Sequence, residues 1–458
     1  MSNKIICSEC GAKQEEIYRL REEIQRLKGK IRNQDRKITE GFFGSSTPSS
    51  KKPVKPNTEK EKKNGGGKKG HKGYGRKVFP KQEADIIQRI ETDDICPDCK
   101  TELKDKDSRD RYVIDIKPME VKKIIYHIIR KQCKKCNRIF ETKPSGVTPR
   151  NLYGNNLIAY VAIEHYIKGK TLGALEKELG VGYGALFDIL HRLANILNDI
   201  PDKLIEEYRN SSVKHADETG WRNDGKNGYA WLFATKNISI FRFRNTRAGR
   251  IAREVLGEKQ LPGTLAVDRY AGYNHILCYR QYCYAHLLRT IKDLEREFPD
   301  NQEIACFLRT ILPLLSDAMS LRSLPINDKV FYKRAEKTKT SIIKAINKEA
   351  NHPAIQKIQN IFRENKDKLY HWAADRNVPA DNNFAERELR PLIISRKLSF
   401  GSQSDEGAKT REILMTVLLT LKKRTNGKTA NRLKAFLDLY AANFNIDIYQ
   451  SLFKFNSS

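Results

Sequence analysis

Three acidic residues stand in sequence contexts that could bind metal ions. Asp217 lies in VKHADETGW, Asp268 in TLAVDRYAGY and Glu386 in DNNFAERELRP. Both aspartates follow a short β-branched or apolar run, which predicts a buried strand whose end directs a carboxylate into a cleft. Glu386 belongs to a segment in which Asp381 or Asn382 can cap a helix. The three carboxylates are therefore expected on three separate elements.

Phosphoryl transfer is the chemistry that such a set supports. Mg²⁺ prefers hard oxygen ligands, keeps several waters and takes only one or two carboxylates, so positions stay open for a phosphodiester. Two ions about 3.5–4 Å apart can activate an attacking oxygen and stabilise the leaving one. A single Asp at a strand end is more often a helix cap or a surface charge, so the prediction depends on the triplet. We predict two Mg²⁺ per active site, with Mn²⁺ able to substitute.

Four segments carry a resemblance to a known family: HADETGW, VDRYAGY, YCYAHLLR and DNNFAERELRPLIISRK. In order and spacing they resemble the insertion sequence 66 family of bacterial DDE transposases, and the resemblance covers most of the chain. It implies a ribonuclease-H-like catalytic core with the two aspartates on neighbouring strands and the glutamate on a later helix. It also implies that these three residues cut and join transposon ends. Residues 401–458 follow the family pattern only loosely.

Charge limits the choice of partners. The 458 residues include 86 Lys and Arg against 56 Asp and Glu, a formal charge of +30. This charge attracts polyanions, and the length allows two or more domains. Nucleic acid is the natural partner, although a ribosome or an anionic membrane would satisfy the same charge. We predict double-stranded DNA, as element ends and target, and leave the need for accessory transposition proteins open.

The cellular location is predicted from what the sequence lacks. No apolar run approaches the ~18–20 residues of a membrane span. The segment MSNKIICSEC lacks the apolar core of a signal peptide. We therefore expect a cytoplasmic protein with no membrane partner. The sequence contains no GxxxxGK[ST] phosphate-binding loop, so the energy must come from the DNA bonds exchanged.

Six of the nine cysteines form Cys-x-x-Cys pairs, which in a cytoplasmic protein indicates metal binding before disulfides. Two of these pairs bracket the strand-like runs RYVIDIKP and VKKIIYHII, which predicts a zinc ribbon at residues 83–149. With four thiolate ligands the Zn²⁺ would be structural, and redox chemistry by the same cysteines is the alternative. The predicted ligands are Cys96, Cys99, Cys133 and Cys136. A third pair, Cys7 and Cys10, could bind a metal with partners from elsewhere, or nothing.

Residues 1–40 predict a coiled coil, because apolar residues recur with a/d spacing. The seam consists of Ile17, Leu20, Ile24, Leu27, Ile31 and Ile38. Ile at a and Leu at d favours a parallel dimer, so we predict a homodimer. An amphipathic helix packed on its own protein is the alternative.

Residues 41–82 predict a disordered cationic linker, with 12 basic against two acidic residues in 41–81. It is either a solvated spacer or a contact with DNA phosphates in which Arg76 enters a minor groove.

Residues 150–205 predict a helix-turn-helix-like segment with a Gly-Val-Gly turn. Residues 183–191 would then face a major groove, with Tyr183, Asp188, His191 and Arg192 as candidate contacts. The alternative is a helical pedestal packed on the core, since the second helix is apolar and not conspicuously basic.

The remaining chain predicts a multidomain α/β architecture around the ribonuclease-H-like core. Its first part is residues 206–300 and its second part, with the catalytic glutamate, is 376–425. A helical insertion occupies 301–375 and a C-terminal helical segment 426–458. The predicted core elements are strands 211–216, 228–234, 238–243, 264–267 and 276–278, with helices 248–256 and 285–298.

Basic residues near the acidic triplet are candidates for contacting DNA. His286 and Arg289 face one side of a helix start together with Cys283, and the resemblance implies a role near the active site. His286 is either a neutral structural brace or a phosphate contact. Trp221 and Tyr229 could stack on an unpaired base, although core packing is the more common role of such residues. The full set of predicted DNA contacts is Arg76, Arg222, His286, Arg289, Arg387, Arg390, Arg396 and Lys397.

Glu218 is left out of the metal set because neighbouring residues on a strand point to opposite faces.

Three functions remain in competition. A transposase would bind terminal inverted repeats, free a 3′ hydroxyl and transfer it to a target strand. A metal-dependent nuclease or resolvase would cut without joining, and a domesticated regulator would only bind DNA. The intact triplet favours the transposase.

Overall fold

The structure is a computed structural model of the chain. It describes residues 146–148 and 151–454, the short strands at 131–132 and 139–140, and isolated positions between 13 and 121. The chain divides into two units, Val54–Ile125 and the remainder, and the helices and strands below belong to the remainder. Several predicted features lie outside the described residues: the linker at 41–79, Arg76, Cys7, Cys10, Cys96, Cys99, Cys133, Cys136, Ile31 and Ile38.

The described residues bear on two of the N-terminal predictions. Four members of the coiled-coil seam, at positions 17, 20, 24 and 27, are helical and 43–49% exposed. Strands β1 (Lys131–Gln132) and β2 (Ile139–Phe140) pair antiparallel, on either side of the second cysteine pair in sequence. The dimer and the zinc site both stay predictions.

Four helices fill the segment before the sheet: α1 (Asn155–Tyr166), α2 (Leu172–Leu179), α3 (Tyr183–Ile196) and α4 (Ile200–Arg209). Helix α2 begins where the Thr171 hydroxyl accepts a hydrogen bond from the backbone N–H of Ala174, and ends at Gly180, whose φ of 62° is left-handed. The predicted three-residue turn therefore joins α2 to α3. Among the candidate contacts on α3, Tyr183, Asp188 and Arg192 are exposed, whereas His191 Nδ1 lies 2.6 Å from the Thr410 hydroxyl.

A five-stranded mixed sheet forms the centre of the fold. Its strands are β3 (Val213–Asn223), β4 (Lys226–Ala234), β5 (Ser239–Arg244), β6 (Thr264–Val267) and β7 (Tyr279–Tyr282). The spatial order is β5-β4-β3-β6-β7, with β3, β4 and β5 antiparallel and β6 and β7 parallel to β3. Helix α5 (Arg250–Leu256) precedes β6, and α6 (Tyr284–Glu297) follows β7. The α/β class predicted from the sequence is confirmed.

Two strand predictions were wrong in their bounds. Strand β3 does not end at Ala216 but continues to Asn223, because β4 pairs with it along this whole length. Strand β7 begins at Tyr279, after the apolar residues 276–278 that suggested a strand. The observed β7 has the sequence YRQY, and its last two residues are buried.

A run of helices follows α6 and lies between Asp268 and Glu386 in sequence, in the segment for which an insertion stays a prediction. It contains α7 (Gln302–Leu321), α8 (Asp328–Asn347), α9 (Pro353–Glu364) and the short α10 (His371–Ala374). Among the described helices, α7 alone is long and apolar enough by length and composition to cross a membrane. Arg309 and Asp317 interrupt its apolar sequence, and its buried residues, from Ile304 to Leu321, recur with amphipathic spacing.

The chain ends in four helices: α11 (Asn383–Ser399), α12 (Asp405–Thr425), α13 (Thr429–Ala442) and α14 (Ile448–Phe453). Helix α12 covers the outer edge of β5 with side-chain acceptors spaced four residues apart. Glu412 accepts from the N–H of Phe243, Thr416 from that of Phe241 and Thr420 from that of Ser239, at 2.9–3.0 Å. Four helical residues rise ~6.0 Å and two strand residues ~6.6–6.8 Å, so the two periods match over three bonds. The edge strand is thereby protected from pairing with another strand.

Candidate active site

Asp217 and Asp268 lie at the same edge of the sheet. The parallel pairing of β3 with β6 runs from Val213 to His215, so Asp217 lies two residues beyond the last pair. Asp268 directly follows β6, and both aspartates are half-buried. Because parallel strands bring their carboxyl ends together, the predicted neighbouring placement of the two aspartates is found in the structure.

The loop after β6 is tightly constructed around Asp268. The Asp268 carboxylate accepts a 2.9 Å hydrogen bond from the backbone N–H of Tyr270. A Cβ on Gly272 would lie 2.3 Å from the Tyr270 ring, and one on Gly249 would lie 2.7 Å from the Gly272 carbonyl. The Arg247 guanidinium lies 3.9 Å from the centre of the Tyr270 ring. These contacts explain why the sequence VDRYAGY carries glycine where it does.

Asn382 fastens the helix that carries Glu386 to strand β3. Its side chain is 2% exposed, donates to the Ala216 carbonyl at 2.8 Å and contacts His215 Nδ1 at 2.9 Å. Its backbone N–H donates to Cys283 Sγ at 3.1 Å, at the start of α6. Four residues later Glu386 lies in the first turn of α11. One buried amide thus links β3, α6 and α11 beside Asp217.

The sequence left Asp381 and Asn382 as alternative caps of this helix, and only one of the two side chains bonds its first turn. Asn382 occupies the N-cap position of α11, but its side chain makes no capping bond. Asp381 instead accepts from the backbone N–H of Asn383 at 3.0 Å. The N-cap side chain is directed to β3, where it satisfies buried polar groups.

Two residues of α6 contact the Glu386 carboxylate. Arg289 donates to Glu386 Oε1 at 2.9 Å, and His286 Nε2 lies 4.0 Å from the same oxygen. Burial and the charge of Arg289 lower the pKa of His286, against the raising effect of Asp268 and Glu386. His286 Nδ1 is buried and makes no hydrogen bond to any described residue. His286 is therefore neutral near pH 7, and Arg289 acts as a counter-ion of Glu386.

The charges of the neighbouring carboxylates act on Asp217. Burial raises the pKa of Asp217 well above its ordinary value, and the charges of Glu218, Asp268 and Glu386 raise it further. A hydrogen bond from the Glu218 N–H, at 2.9 Å, acts in the opposite direction. Across the described part of the chain, no three His, Cys, Asp or Glu side chains are already spaced to hold a metal ion. As a donor set, three hard and mutually repelling carboxylates fit a divalent cation.

Glu218 lies on the opposite face of β3 from Asp217, as predicted. Its carboxylate is buried in an ion pair with Arg247 and accepts a 2.8 Å hydrogen bond from the Tyr273 hydroxyl. Burial and Asp268 raise the pKa of Glu218 to about 7, while Arg247 lowers it. Arg247 and Tyr273 flank the loop that carries Asp268. Glu218 therefore positions this loop from the face of β3 opposite Asp217.

The predicted DNA contacts divide into exposed and engaged side chains. Arg222, Arg387, Arg390 and Lys397 are exposed. The Arg396 guanidinium is instead bound to the Thr219 hydroxyl and the Gly220 carbonyl, so it braces α11 on β3. Arg76 lies outside the described residues.

The two aromatic side chains proposed for base stacking are not equivalent. Trp221 is only 2% exposed, and its indole N–H donates to the Ser402 hydroxyl at 3.1 Å. The ring lies in the core against Phe243, which is the core-packing alternative and leaves no face for a base. Tyr229 is half-buried.

Sequence reasoning missed the linking role of Asn382 and Cys283. The signal available was a cysteine at a predicted helix start and an Asn pair before the glutamate. Burial raises the pKa of Cys283 to about 12, so the thiol is an uncharged acceptor and not a reactive group.

Comparison with known proteins decides the family. The model of the transposase IS66 family matches residues 150–410, more than half of the chain. The chain belongs to the IS66 family of transposases. The matched stretch contains Asp217, Asp268 and Glu386, and therefore also the helical insertion between them. A second model, for a domain of unknown function named DUF6431, matches residues 96–178, which include all four predicted zinc ligands.

One curated relative is similar to this IS66-family chain. It is the uncharacterized protein y4qI of Sinorhizobium fredii (strain NBRC 101917 / NGR234), 23% identical over 316 residues. The aligned part is 61% of this chain and 58% of the relative, so the chain spans little more than half of that protein's length.

Proposed function

We propose that this chain is a DNA transposase that holds divalent metal ions at Asp217, Asp268 and Glu386 and uses them to cut and join DNA at the ends of an insertion sequence. Membership in the IS66 family supports the reaction class. One observation carries the site. Asp268, after β6, and Glu386, on α11, lie near enough to Asp217 on β3 for their charges to raise its pKa. Asn382 maintains this convergence by tying α11 to the residue before Asp217.

The sheet supports a ribonuclease-H-like core. Three antiparallel strands are followed by two strands parallel to β3, in the order β5-β4-β3-β6-β7. The pairing of β3 with β6 supports the neighbouring aspartate strands that the family resemblance implies. The helices of residues 302–374 then form an insertion between the second and third carboxylates.

The metal site would use Mg²⁺, with Mn²⁺ able to substitute, and two ions per site. When bound, the ions activate the attacking oxygen and stabilise the leaving oxygen of a phosphodiester. The chain prepares for them in two ways. Arg289 balances the charge of Glu386, and the raised pKa of Asp217 makes metal binding compete with protonation of this carboxylate. Metal affinity should therefore increase with pH.

Double-stranded DNA is the proposed partner. Arg222, Arg387, Arg390 and Lys397 are exposed near the three carboxylates in sequence or on the same helix. Arginine forks match phosphate geometry, so these side chains would position the duplex. His286 is neutral and 4.0 Å from Glu386, where it would hydrogen-bond the scissile phosphate or its flank.

The N-terminal features complete the proposal. Cys96, Cys99, Cys133 and Cys136 would bind one structural Zn²⁺, supported by the β1–β2 hairpin on either side of the second pair. The exposed Ile/Leu seam would pair two protomers, so that a cytoplasmic homodimer holds both element ends. Elemental analysis of purified protein and of a Cys133→Ser, Cys136→Ser variant tests the zinc. Light scattering before and after removal of residues 1–40 tests the dimer.

The deciding experiment incubates the protein with Mg²⁺, a labelled element-end duplex and a target plasmid. Joined products are expected from the parent chain. Asp268→Asn should leave DNA binding intact and abolish both cutting and joining, because binding depends on cations elsewhere. Asp224→Asn is the matched control: Asp224 is exposed at the β3–β4 turn with φ 50°, a conformation that Asn tolerates.

Each other outcome has a definite meaning. Cut but unjoined products would make the chain a nuclease or resolvase. Untouched DNA with the parent chain would leave only a DNA-binding role. Equal losses in Asp268→Asn and Asp224→Asn would remove Asp268 from the site.

A further inference from the structure

Helix α8 of the insertion carries an unusually one-sided charge. Its sequence, DKVFYKRAEKTKTSIIKAIN, holds six basic residues and two acidic ones. Both acids are already engaged, since Asp328 pairs with Arg376 at 2.8 Å and Glu336 with Lys339 at 3.2 Å. The helix therefore has positive charge that its own carboxylates do not balance.

Four of these cations form what we call the lysine stripe: Lys329, Lys333, Lys337 and Lys344. All four are exposed, and no described carboxylate lies within ion-pair distance of any of them. At ~100° per residue the four side chains fall within about 80° of the helix circumference. The stripe therefore forms a single surface.

The opposite face of α8 explains why the stripe faces outward. Its buried residues are Phe331, Ala335, Thr338, Ile342 and Ile346. On the same helical wheel they centre about 180° from the lysine stripe. The Thr338 hydroxyl donates to Asp317 of α7 at 2.6 Å, which fixes the rotation of α8. Packing on α7 thus directs the stripe into solvent.

The start of α8 is bonded to the segment that leads into α11, and its neighbour α7 packs on α6. Arg376, five residues before Asp381, bonds Asp328 and the carbonyls of Leu324 and Ile326 at the start of α8. Helix α7 packs both on α6, which carries His286, and on α8. From Lys329 to Lys344 the stripe then extends about 22 Å, at ~1.5 Å per residue.

Like charges four residues apart destabilise a helix. Lys329 and Lys333 form one such pair, and Lys333 and Lys337 form another. A polyanion lying along the helix would relieve this repulsion. A duplex presents one negative charge per ~1.7 Å of axis, so a 22 Å stripe faces about six base pairs.

We propose that the lysine stripe binds the phosphate backbone of DNA that continues beyond the candidate active site, as a sequence-independent contact. This inference rests on the proposed function in one respect, since the bound DNA is taken to be the DNA that the proposed transposase cuts. It assigns the helical insertion a binding surface of its own, separate from the exposed cations of α11.

The test measures how DNA affinity depends on salt in the full-length protein. A labelled duplex of random sequence is titrated at a series of potassium chloride concentrations. The variant Lys329→Gln, Lys333→Gln, Lys337→Gln, Lys344→Gln should reduce the slope of log affinity against log salt by ~0.9 for each phosphate that it no longer neutralises, and by up to ~3.6 for four. Its single-turnover cleavage rate at saturating protein should equal that of the parent.

The matched control removes the same charge elsewhere: Lys236→Gln, Lys259→Gln, Lys422→Gln, Lys428→Gln. These four lysines are exposed and lie off the insertion. The control should keep the parental slope, and a version of the stripe with four Arg should keep it too. An equal slope change in stripe variant and control, or no change in the stripe variant, would overturn the proposal.

Failure of this inference and failure of the proposed function give different results. Asp268→Asn should keep the parental salt slope while losing cleavage. The stripe variant should show a shallower slope and weaker binding, and should cleave at the parental rate only once the protein saturates the DNA. Thermal melting guards against misfolding, since removing like-charge pairs should not lower the melting temperature of the stripe variant.

Discussion

Asp217 and Glu218 are adjacent on β3, and the two faces of the sheet treat their carboxylates in opposite ways. On one face Glu218 is buried with Arg247 and the Tyr273 hydroxyl, so its charge has a fixed partner. On the other face Asp217 shares its surroundings with two further acids and accepts one backbone hydrogen bond. A carboxylate with a built-in cation maintains structure, whereas one among other carboxylates is suited to a cation from solution.

The largest expected effect follows from removing the charge of Asp217. Asp217→Asn should reduce cleavage by about 10³-fold or more, since losing a metal ligand removes several kcal/mol of transition-state stabilisation. Without metal, the Asp217→Asn variant should be at least as stable as the parent, because burial and like charges penalise the ionised form of Asp217. Single-turnover cleavage and urea unfolding in EDTA measure the two effects. Cleavage by Asp217→Asn at a rate within about tenfold of the parent would remove Asp217 from the proposed metal site.

The neighbouring substitution should act on stability first. Glu218→Ala should lower the free energy of unfolding by about 3 kcal/mol, because it leaves the Arg247 guanidinium and the buried Tyr273 hydroxyl without their acceptor. Urea unfolding in EDTA measures this loss. The double variant Glu218→Ala, Arg247→Met should recover much of it. A Glu218→Ala protein as stable as the parent would show that these contacts hold nothing in place.

The pH dependence of stability sharpens the contrast. The pKa of Glu218 is raised from an ordinary 4.5 to about 7, and that of Asp217 is also raised. Between these values the folded protein binds more protons than the unfolded chain, so stability is full below about pH 4.5 and is lost as pH rises through about 7. Unfolding in EDTA at a series of pH values measures this loss.

Two controls isolate the effect of Asp217. Mg²⁺ should restore stability at high pH in the parent but not in Asp217→Asn. Burial lowers the pKa of His215 and of His165 to about 4, which acts in the opposite sense as pH falls. The difference between parent and Asp217→Asn removes that contribution. A difference that does not vary with pH would contradict the assigned shift.

The smallest effect concerns the counter-ion of Glu386. Arg289→Gln should lower the Mg²⁺ concentration needed for half-maximal cleavage by about two- to fivefold, because the guanidinium competes with the metal for this carboxylate. Arg289 is 40% exposed, so solvent limits the pair to ~0.2–1 kcal/mol. Magnesium titrations of cleavage check it, with Arg296→Gln on the same helix as control. An increased magnesium requirement would assign Arg289 to DNA binding instead.

The sequence predicted the local elements of the site better than its connections. Strand 264–267 was placed correctly, because an apolar run ending at Asp268 has one interpretation. Strand β3 was ended too early, because Asp217 and Glu218 resembled a strand terminus. Only the pairing of β4, with Leu232 opposite Asp217, shows that the strand continues.

Long-range contacts decide between alternatives that the sequence left open. Asp381 and Asn382 were both candidate caps, and the Asn382 side chain instead bonds Ala216, 166 residues away in sequence. Trp221 could stack on a base or pack in the core, and Ser402, 181 residues away, accepts its indole N–H in the core. Hydrogen bonds of this kind depend on tertiary packing, which periodicity and spacing do not encode.

The threonine and glutamate ladder of α12 also has a consequence for synthesis of the chain. Thr420, which covers the N–H of Ser239, follows it by 181 residues. At ~5–20 residues per second a ribosome needs about 10–35 s to make that stretch. During this interval β5 can be formed while its outer edge is bare. Nascent or prematurely terminated chains that end before residue 405 would therefore carry an edge open to pairing with other chains, and the segment that contains α12 acts as an internal guard against co-translational aggregation.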